Sequence, residues 1–488
     1  MARAAPGPKP ILNFIAGEWI SARGSESLNV SNPATGDSLG SFTLSTAEDV
    51  AAAVEAADCA HPGWRETPPV ERARVLFRLK ILLEDNLENL AVSLAREHGK
   101  NLVECRGEVR RGIENVEHAC GIPTLMMGST LEDVASGIDC ETFLQPLGVF
   151  AVISPYNFPV MIPLWFWPYA VATGNTVVLK PSEQDPLTHQ LVVELAVEAG
   201  LPDGVLNVVQ GTHQATDALV GHPGVQGISF VGSSAVGRDL YARAGASGKR
   251  VQILGGAKNH IVVLPDADYN TATEAILSSA FGSAGQRCLA GSVIVGVGEA
   301  YEVIRERILA GAAKLELGYA LDGAPDMGPV ISGRHLERVC GYIDEGVREG
   351  AELLVDGRGA TVDGYPNGHW IGPTVFDNVG PDMRIGSEEI FGPVIGLTQA
   401  KSLDDAIDLT HENCYGNMAS IFTTSGKAAR DFRYRIGISM LGINIGVAAP
   451  MAFFPFGGAR GSFYGDLKAQ GRDATTFFTD KRVVISRW

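Results

Sequence analysis

The chain has few cysteines, and no two of them form a motif. Seven cysteines are spread over 488 residues, at positions 59, 105, 120, 140, 288, 340 and 414, and none has the CxxC spacing of a metal or redox pair. Scattered single cysteines argue against a zinc site and against a disulfide framework. The sequence therefore predicts a protein of a reducing compartment that holds no metal.

Clustered positive charge and long apolar runs are also lacking. The net charge is -17 and no run of lysine and arginine occurs, which argues against a nucleic-acid partner. The stretch that comes closest to a membrane span, 161–172, is short and contains prolines, so it favours a buried helix. The first residues include Arg3 and Lys9 but no apolar core of signal-peptide length. We therefore expect a cytoplasmic protein with no membrane partner.

What the chain does have is length and a regular alternation of helical and strand patterns. A chain of 488 residues exceeds the roughly 250–300 residues at which a single core stops growing, so two large domains are expected. The patterns predict helices over 47–60 and 70–99, and strands over 148–155, 175–181, 227–232 and 260–265. This alternation is typical of an α/β architecture with parallel sheets. Two stretches, about 124–146 and 470–488, read as extended.

One cysteine, Cys288, lies in a glycine-rich stretch of small residues. The segment FGSAGQRCLA (281–290) places its thiol in a turn that a substrate carbon could approach closely. Five further motifs accompany it along the chain: PYNFP (155–159), KPSE (180–183), FVGSSAVG (230–237), EEIFGPV (388–394) and PFGG (455–458). In order and spacing, these motifs resemble the aldehyde dehydrogenase superfamily across nearly the whole chain.

The resemblance implies the aldehyde dehydrogenase fold and its division into domains. A Rossmann-like NAD-binding domain would comprise residues 1–123 and 147–255, and an α/β catalytic domain residues 256–450. A small β extension would comprise residues 124–146 and 470–488. In the family this extension pairs subunits, so the resemblance also implies a homo-oligomer, either a dimer or a tetramer.

Two of the motifs have the features of a dinucleotide site. KPSE ends a strand with Lys180 and Glu183, and residues at the carboxyl end of a parallel strand line the crevice where a nucleotide binds. A carboxylate accepts from both ribose hydroxyls and repels a 2′-phosphate, so Glu183 favours NAD over NADP, although Lys180 could accommodate either. FVGSSAVG places Gly232, Ser233 and Gly237 at a strand-to-helix junction, where free N–H groups and the helix dipole favour pyrophosphate. An ordinary tight turn is the alternative for this glycine pattern taken alone.

The glycine fingerprint GxGxxG of dinucleotide enzymes is absent, and aldehyde dehydrogenases bind NAD in a variant way. By resemblance, Ser154 and Tyr156 flank the cofactor and Gly255 lies near the nicotinamide. Glu389 and Phe391 would hold the nicotinamide ribose.

The chemistry that the resemblance implies begins with a thiolate. Cys288 would attack the aldehyde carbon, and the resulting alkoxide must be stabilised before it can transfer hydride to nicotinamide. The Asn157 side-chain amide and the Cys288 backbone N–H would stabilise that alkoxide. Without the motifs, Cys288 would be read as a small buried hydrophobe and Asn157 as a turn former.

The sequence departs from the family at one position that matters for the second half of the reaction. Hydrolytic members carry a glutamate in an ELGGK segment, which activates water on the thioester. Here the segment is ILGGAK, and alignment on Lys258 places Leu254 where that glutamate belongs. Shifting the alignment by one residue gives Ile253 or Gly255. Because no alignment supplies a carboxylate, deacylation by water should be slow.

A thioester that water cannot attack is still open to another thiol, and coenzyme A carries one. The segments GAKNH, PYNFPVMIPLW and 107–128 are similar to the methylmalonate-semialdehyde dehydrogenase branch of the family, which is CoA-acylating. The resemblance thus implies NAD as cofactor and CoA as co-substrate. With a 3-oxo acid as substrate, loss of carbon dioxide would give acetyl-CoA, or propionyl-CoA from the 2-methyl homologue. One methyl group is worth only about 1–3 kcal/mol in a pocket, so both substrates stay open.

A substrate that carries a carboxylate needs cationic anchors, and guanidinium groups bind carboxylates in bidentate fashion. Arg287 adjoins the nucleophile, and Arg111 is the second candidate by resemblance. Arg287 could instead, or also, lower the pKa of Cys288, while a charge on a helix surface is the alternative for Arg111.

Two other functions stay open: a CoA-independent NAD-dependent dehydrogenase that releases the free acid, and a non-catalytic binding protein on the same fold.

Overall fold

A computed structural model describes residues 10–488. Residues 1–9, which include the start of the first predicted domain and the segment examined for a leader, lie outside the described residues. The strands are β1 (Asn13–Ile15), β2 (Glu18–Ile20), β3 (Ser27–Ser31), β4 (Ser38–Thr43), β5 (Thr130–Ala135), β6 (Ile138–Pro146), β7 (Val149–Ile153), β8 (Thr176–Lys180), β9 (Leu206–Val208), β10 (Val225–Val231), β11 (Arg250–Leu254), β12 (Asn259–Val263), β13 (Gly291–Val297), β14 (Glu352–Val355), β15 (Thr374–Asp377), β16 (Val394–Ala400), β17 (Met418–Phe422), β18 (Met440–Ile443), β19 (Phe463–Tyr464) and β20 (Thr479–Arg487).

The helices are α1 (Ala47–Glu66), α2 (Pro69–Asp85), α3 (Leu87–His98), α4 (Leu102–Ala119), α5 (Ile122–Leu125), α6 (Trp167–Ala172), α7 (Leu187–Glu198), α8 (His213–Gly221), α9 (Ser234–Ala246), α10 (Tyr269–Phe281), α11 (Ala300–Ala312), α12 (Gly333–Arg348), α13 (Arg384–Ser387), α14 (Leu403–His411), α15 (Gly426–Arg435) and α16 (Gly471–Phe477). A short 3-10 turn covers Pro163–Trp165, and Gly282–Gly285 form a turn with left-handed residues. In the described part of the chain, no helix is both long enough and apolar enough to cross a membrane.

The first sheet has the strand order β19-β11-β10-β7-β8-β9-β1-β2. Its central strands β11, β10, β7, β8 and β9 run parallel. Alternate residues of β7 enter different cores: Phe150 and Val152 pack under α2, α4 and α6, while Ala151 and Ile153 pack under α1, α8 and α9. Burial on both faces explains why these strands read as continuous apolar runs.

The second sheet has the order β14-β15-β16-β13-β12-β17-β18. All neighbours are parallel except β14, which pairs antiparallel with β15. One apolar cluster lies beneath α10, α11 and α12, and another beneath α14 and α15. The predicted strands 148–155, 175–181, 227–232 and 260–265 correspond to β7, β8, β10 and β12. The expected α/β fold class with parallel sheets is confirmed.

Two local predictions need correction. The helix predicted over 70–99 is divided into α2 and α3 at Asn86, whose side chain donates to the Leu82 carbonyl at 2.9 Å. Asparagine competes with backbone hydrogen bonding in this way and so favours helix ends. The segment 470–488 is not extended throughout, because residues Gly471–Phe477 form α16 before β20 begins. The run TTFF resembles a strand, but burial of Phe477 and Phe478 against Phe150 overrides that local preference.

A small separate sheet is formed by β20, β6 and β5, in that order. Its long pairing joins the C-terminal strand to residues 138–146, from Thr479↔Pro146 to Arg487↔Ile138. Several apolar side chains of this sheet are exposed, among them Leu131, Val483 and Ile485. The sheet thus presents an apolar surface that the described chain leaves uncovered.

Candidate active site

The loop that carries Cys288 has an unusual backbone. Ser283 and Ala284, in the turn after α10, have φ angles of 50° and 52°, and Gly285 follows with 70°. Non-glycine residues in this region carry strain, which clusters at functional sites. A Cβ on Gly285 would lie 2.1 Å from the Gly392 carbonyl oxygen, so only glycine fits there. The turn brings the loop against the EEIFGPV segment.

Cys288 itself is partly exposed, and its backbone is fixed from the second sheet. The Nδ2 atoms of Asn259 and Asn417 donate to its carbonyl oxygen at 2.9 and 2.8 Å. Burial, reinforced by the Glu389 charge, raises the pKa of the Cys288 thiol to about 12. Sequence reasoning missed both asparagines. The only signal for Asn259 was its place beside Lys258 in GAKNH.

Asn157 is brought to the same loop from the end of β7. Its side chain is buried, and its Nδ2 donates to the Gln286 carbonyl at 3.1 Å. Gln286 lies two residues before Cys288 in sequence. The structure therefore places a neutral amide donor beside the loop that carries Cys288, where the predicted oxyanion site would need one.

Glu389 and Phe391 lie on the other side of this loop. Glu389 Oε1 accepts from the Ala257 N–H at 2.9 Å, and burial raises the pKa of this carboxyl to about 7. Phe391 has a φ of 63°, and its ring centroid lies 5.9 Å from that of Tyr156. Nearby Lys258 is buried and its Nζ has no partner among residues 10–488. Burial lowers the pKa of Lys258 to about 8.

The carboxyl ends of the first parallel sheet hold the other predicted cofactor residues. Ser233 caps α9, its Oγ accepting from the Val236 N–H. A Cβ on Gly237 would lie 2.4 Å from Ile253 Cγ2, so this glycine allows α9 to pack on β11. A Cβ on Gly232 would likewise meet the Phe230 ring at 2.5 Å. The Gly255 N–H donates to the Ser462 carbonyl at 2.9 Å.

Lys180 and Glu183 form an ion pair at the end of β8, with Nζ and Oε2 3.0 Å apart. Burial works against ionisation of Glu183, but the Lys180 charge holds its pKa below the ordinary value. Ser154 is buried at the end of the neighbouring strand, and in the described chain its Oγ has no hydrogen-bond partner. A carboxylate near the surface and an unused hydroxyl beneath it are groups that a bound ribose and its phosphates can use.

Leu254 ends β11, opposite Val231 of β10 and Phe463 of β19. It is buried in the same apolar cluster against which Cys288 packs. Ile253 points to the opposite core. The strand end itself therefore supplies no carboxylate, in agreement with the sequence, and the Glu389 carboxylate reaches the following loop at the Ala257 N–H.

Both predicted arginine anchors already have partners. Arg287 Nη2 lies 2.5 Å from Glu104 Oε1, a contact that sequence reasoning missed because Glu104 is far away in the chain. Arg111, on α4, pairs with Glu114 at 3.0 Å and donates to the Pro450 carbonyl. Both arginine side chains are partly exposed.

Comparison with known proteins agrees with this geometry. The model of the aldehyde dehydrogenase family matches residues 19–484. Malonate-semialdehyde dehydrogenase 1 of Geobacillus kaustophilus HTA426 is 49% identical over 488 residues, covering 100% of both chains.

Two solved structures are similar over nearly their whole length. Methylmalonate-semialdehyde dehydrogenase from Oceanimonas doudoroffii has a TM-score of 0.96 and 45% identity, covering 98% of both chains. An NAD complex from Sinorhizobium meliloti 1021, described as a methylmalonate-semialdehyde dehydrogenase, has a TM-score of 0.97 and 43% identity, covering 99% of this chain and 98% of that one. Together with the thiol, the amide and the carboxylate of the crevice, these matches show that the chain belongs to the aldehyde dehydrogenase family.

Proposed function

We propose that this protein oxidises malonate semialdehyde or its 2-methyl homologue with NAD and transfers the decarboxylated acyl group to coenzyme A. The observation that carries the proposal is Leu254, buried in the apolar cluster beside Cys288, at the position where a hydrolytic enzyme needs a base. The similar malonate- and methylmalonate-semialdehyde dehydrogenases support the substrate class.

The residues of the crevice fit NAD. The Ser154 hydroxyl, which has no partner in the described chain, and the Glu183 carboxylate, which pairs with Lys180, would meet the adenosine half. The α9 N-terminus would face the phosphates, and Glu389 would meet the nicotinamide ribose. Bound NAD supplies the hydride acceptor. Cys288 would have to lose its proton for the reaction, which burial and the Glu389 charge disfavour by raising the pKa of its thiol.

In the first half of the reaction, the Cys288 thiolate forms a bond to the aldehyde carbon. The carbonyl electron pair moves to the oxygen, where the Asn157 amide and the Cys288 N–H hold it. Return of that pair expels hydride and leaves a thioester on Cys288. The substrate carboxylate then leaves as carbon dioxide, its bonding electrons place an enolate charge on the same oxygen, and a proton taken up at carbon 2 restores the acyl group.

In the second half, the CoA thiolate attacks the thioester carbonyl and Cys288 leaves as thiolate. The sum is semialdehyde, NAD and CoA going to acetyl-CoA, carbon dioxide and NADH. The Asn157 donor would thus serve three successive oxyanions: the alkoxide of the aldehyde adduct, the enolate, and the tetrahedral adduct with CoA.

The test is NADH formation from malonate semialdehyde with and without CoA, with the products identified. We expect a burst of about one NADH per active site without CoA, and continuous turnover with acetyl-CoA and carbon dioxide when CoA is present. Turnover unchanged by CoA, with free acid as product, would identify a hydrolytic enzyme instead. No NADH formation with any aldehyde would favour a non-catalytic binding protein.

Arg111 and Arg287 are the proposed anchors of the substrate carboxylate. We expect Arg111→Leu to raise KM for malonate semialdehyde about 10- to 100-fold, because a charge-assisted hydrogen bond is lost, and to change KM for propanal little. Initial rates with both aldehydes measure this. Arg110→Leu is the matched control, since Arg110 is exposed and pairs with Glu84 at 3.0 Å. Equal effects on both aldehydes would mean that Arg111 supports the structure around Pro450.

The protein is also proposed to assemble as a homo-oligomer through the β20-β6-β5 sheet. Support comes from its exposed apolar residues, Leu131, Val483 and Ile485, since such patches mark interaction surfaces.

A further inference from the structure

Glu104 and Glu108, one helical turn apart on α4, bind the two loops that carry Cys288 and Asn157. Glu104 Oε1 accepts from the Ser283 N–H at 2.8 Å and also binds Arg287, so it fastens the nucleophile loop. Glu108 Oε1 accepts from the N–H groups of Val160 and Met161 at 2.9 and 3.2 Å. Residues four apart project from the same helix face, and α4 therefore contacts both loops at once.

The second oxygen of Glu108 binds Lys100, and this pair is completely buried. Lys100 Nζ lies 2.6 Å from Glu108 Oε2, and both side chains have no exposed area. The same Nζ donates to the Asn157 carbonyl at 2.8 Å and lies 4.2 Å from the centre of the Phe158 ring. The segment 157–161 is thus fixed at three backbone atoms by one ion pair.

A buried ion pair is a poor way to stabilise a fold, because the desolvation of two charges offsets their attraction. Apolar residues of similar volume would serve stability at least as well. The pair instead fixes the position of the backbone. Its hydrogen bonds to the Asn157 carbonyl and to the Val160 and Met161 N–H groups hold the segment from which the Asn157 side chain extends. An oxyanion donor must be held within a fraction of an ångström to stabilise a transition state.

We propose that Lys100 and Glu108 are positioning residues that act through Asn157, aiming its amide at the oxyanion of the proposed reaction. The inference rests on the proposed function, since it needs Asn157 to be the oxyanion donor. It predicts that the pair affects the rate of acylation only while the Asn157 amide is present.

The experiment is a double-mutant cycle read by the pre-steady-state NADH burst with malonate semialdehyde, in the full chain. We expect Asn157→Ala to slow acylation about 100-fold and Glu108→Gln to slow it about 10-fold, with KM changed less than about twofold. In the Asn157→Ala background, Glu108→Gln should cost less than about twofold more. Glu117→Gln, an exposed residue of the same helix, is the control and should leave the burst unchanged.

Glu108→Gln leaves Lys100 without a counter-charge and could fail to fold. Lys100→Met combined with Glu108→Gln removes both charges and is the second variant, with the same expected pattern. A loss of equal size in both backgrounds would overturn the positioning role and make the pair structural. An unaltered burst in Asn157→Ala would instead overturn the proposed role of Asn157, and the inference with it.

Discussion

Replacing Cys288 by alanine is expected to abolish NADH formation, with a loss of at least about 10⁴-fold. Without the thiol no tetrahedral adduct forms, and an aldehyde bound to the enzyme has no oxyanion from which hydride could leave. NAD binding should be retained, since the predicted cofactor residues lie on β7, β8, α9 and the EEIFGPV segment. Burst kinetics measure the first effect, and titration calorimetry with NAD measures the second.

Cys59→Ala is the matched control, because Cys59 is exposed on α1, and it should leave both measurements unchanged. Continued NADH formation by Cys288→Ala would rule out a mechanism in which this thiol is the nucleophile. Loss of NAD binding together with turnover would mean that the substitution had disturbed the loop and its contact with Gly392.

The second large effect concerns the missing base. We expect Leu254→Glu to raise the release of free acid without CoA about 100-fold, the typical contribution of a positioned general base. The new carboxyl would enter the apolar cluster that surrounds Leu254, where burial raises its pKa towards neutrality. It could then accept a proton from water at the thioester. Steady-state NADH formation without CoA, with acid and acyl-CoA quantified, measures the change.

Glutamine has nearly the same shape as glutamate but cannot act as a base, so Leu254→Gln is the matched control. Hydrolysis that rises equally in both variants would indicate that polarity admits water and that no base is needed. A third outcome is that hydrolysis rises in neither variant while both proteins fold and still give a burst. That result would mean that the apolar cluster around Leu254 does not protect the thioester from water.

Much of the framework could be predicted from sequence, because the signals are local. The strands β7, β8, β10 and β12 are short apolar runs bounded by Gly, Pro or Asn, and burial on both faces requires little more than that. The absence of a carboxylate at this position was likewise visible, since Ile253, Leu254 and Gly255 are the candidates in the three possible alignments and none is acidic. For these elements sequence and structure agree.

The contacts that hold the site together could not be predicted in this way. Lys100 follows a helix, and Glu108 lies within an ordinary charged helix, so each looks like a solvated residue. Only the packing of α4 against the loop after β7 buries them together. The same holds for Arg287, whose partner Glu104 comes from the other half of the chain. Such pairs depend on tertiary neighbours, for which a single sequence carries no signal.

The contact between Gly285 and Gly392 also limits how this enzyme can change in evolution. A Cβ on Gly285 would lie 2.1 Å from the Gly392 carbonyl, and one on Gly392 would lie 2.6 Å from Val339 Cγ2. The nucleophile loop and the segment that carries Glu389 are therefore in backbone contact, with no room for a side chain between them. A side chain at Gly285 would therefore force the backbone of the Glu389 segment to move. At this contact the two segments, distant in sequence, can change only together.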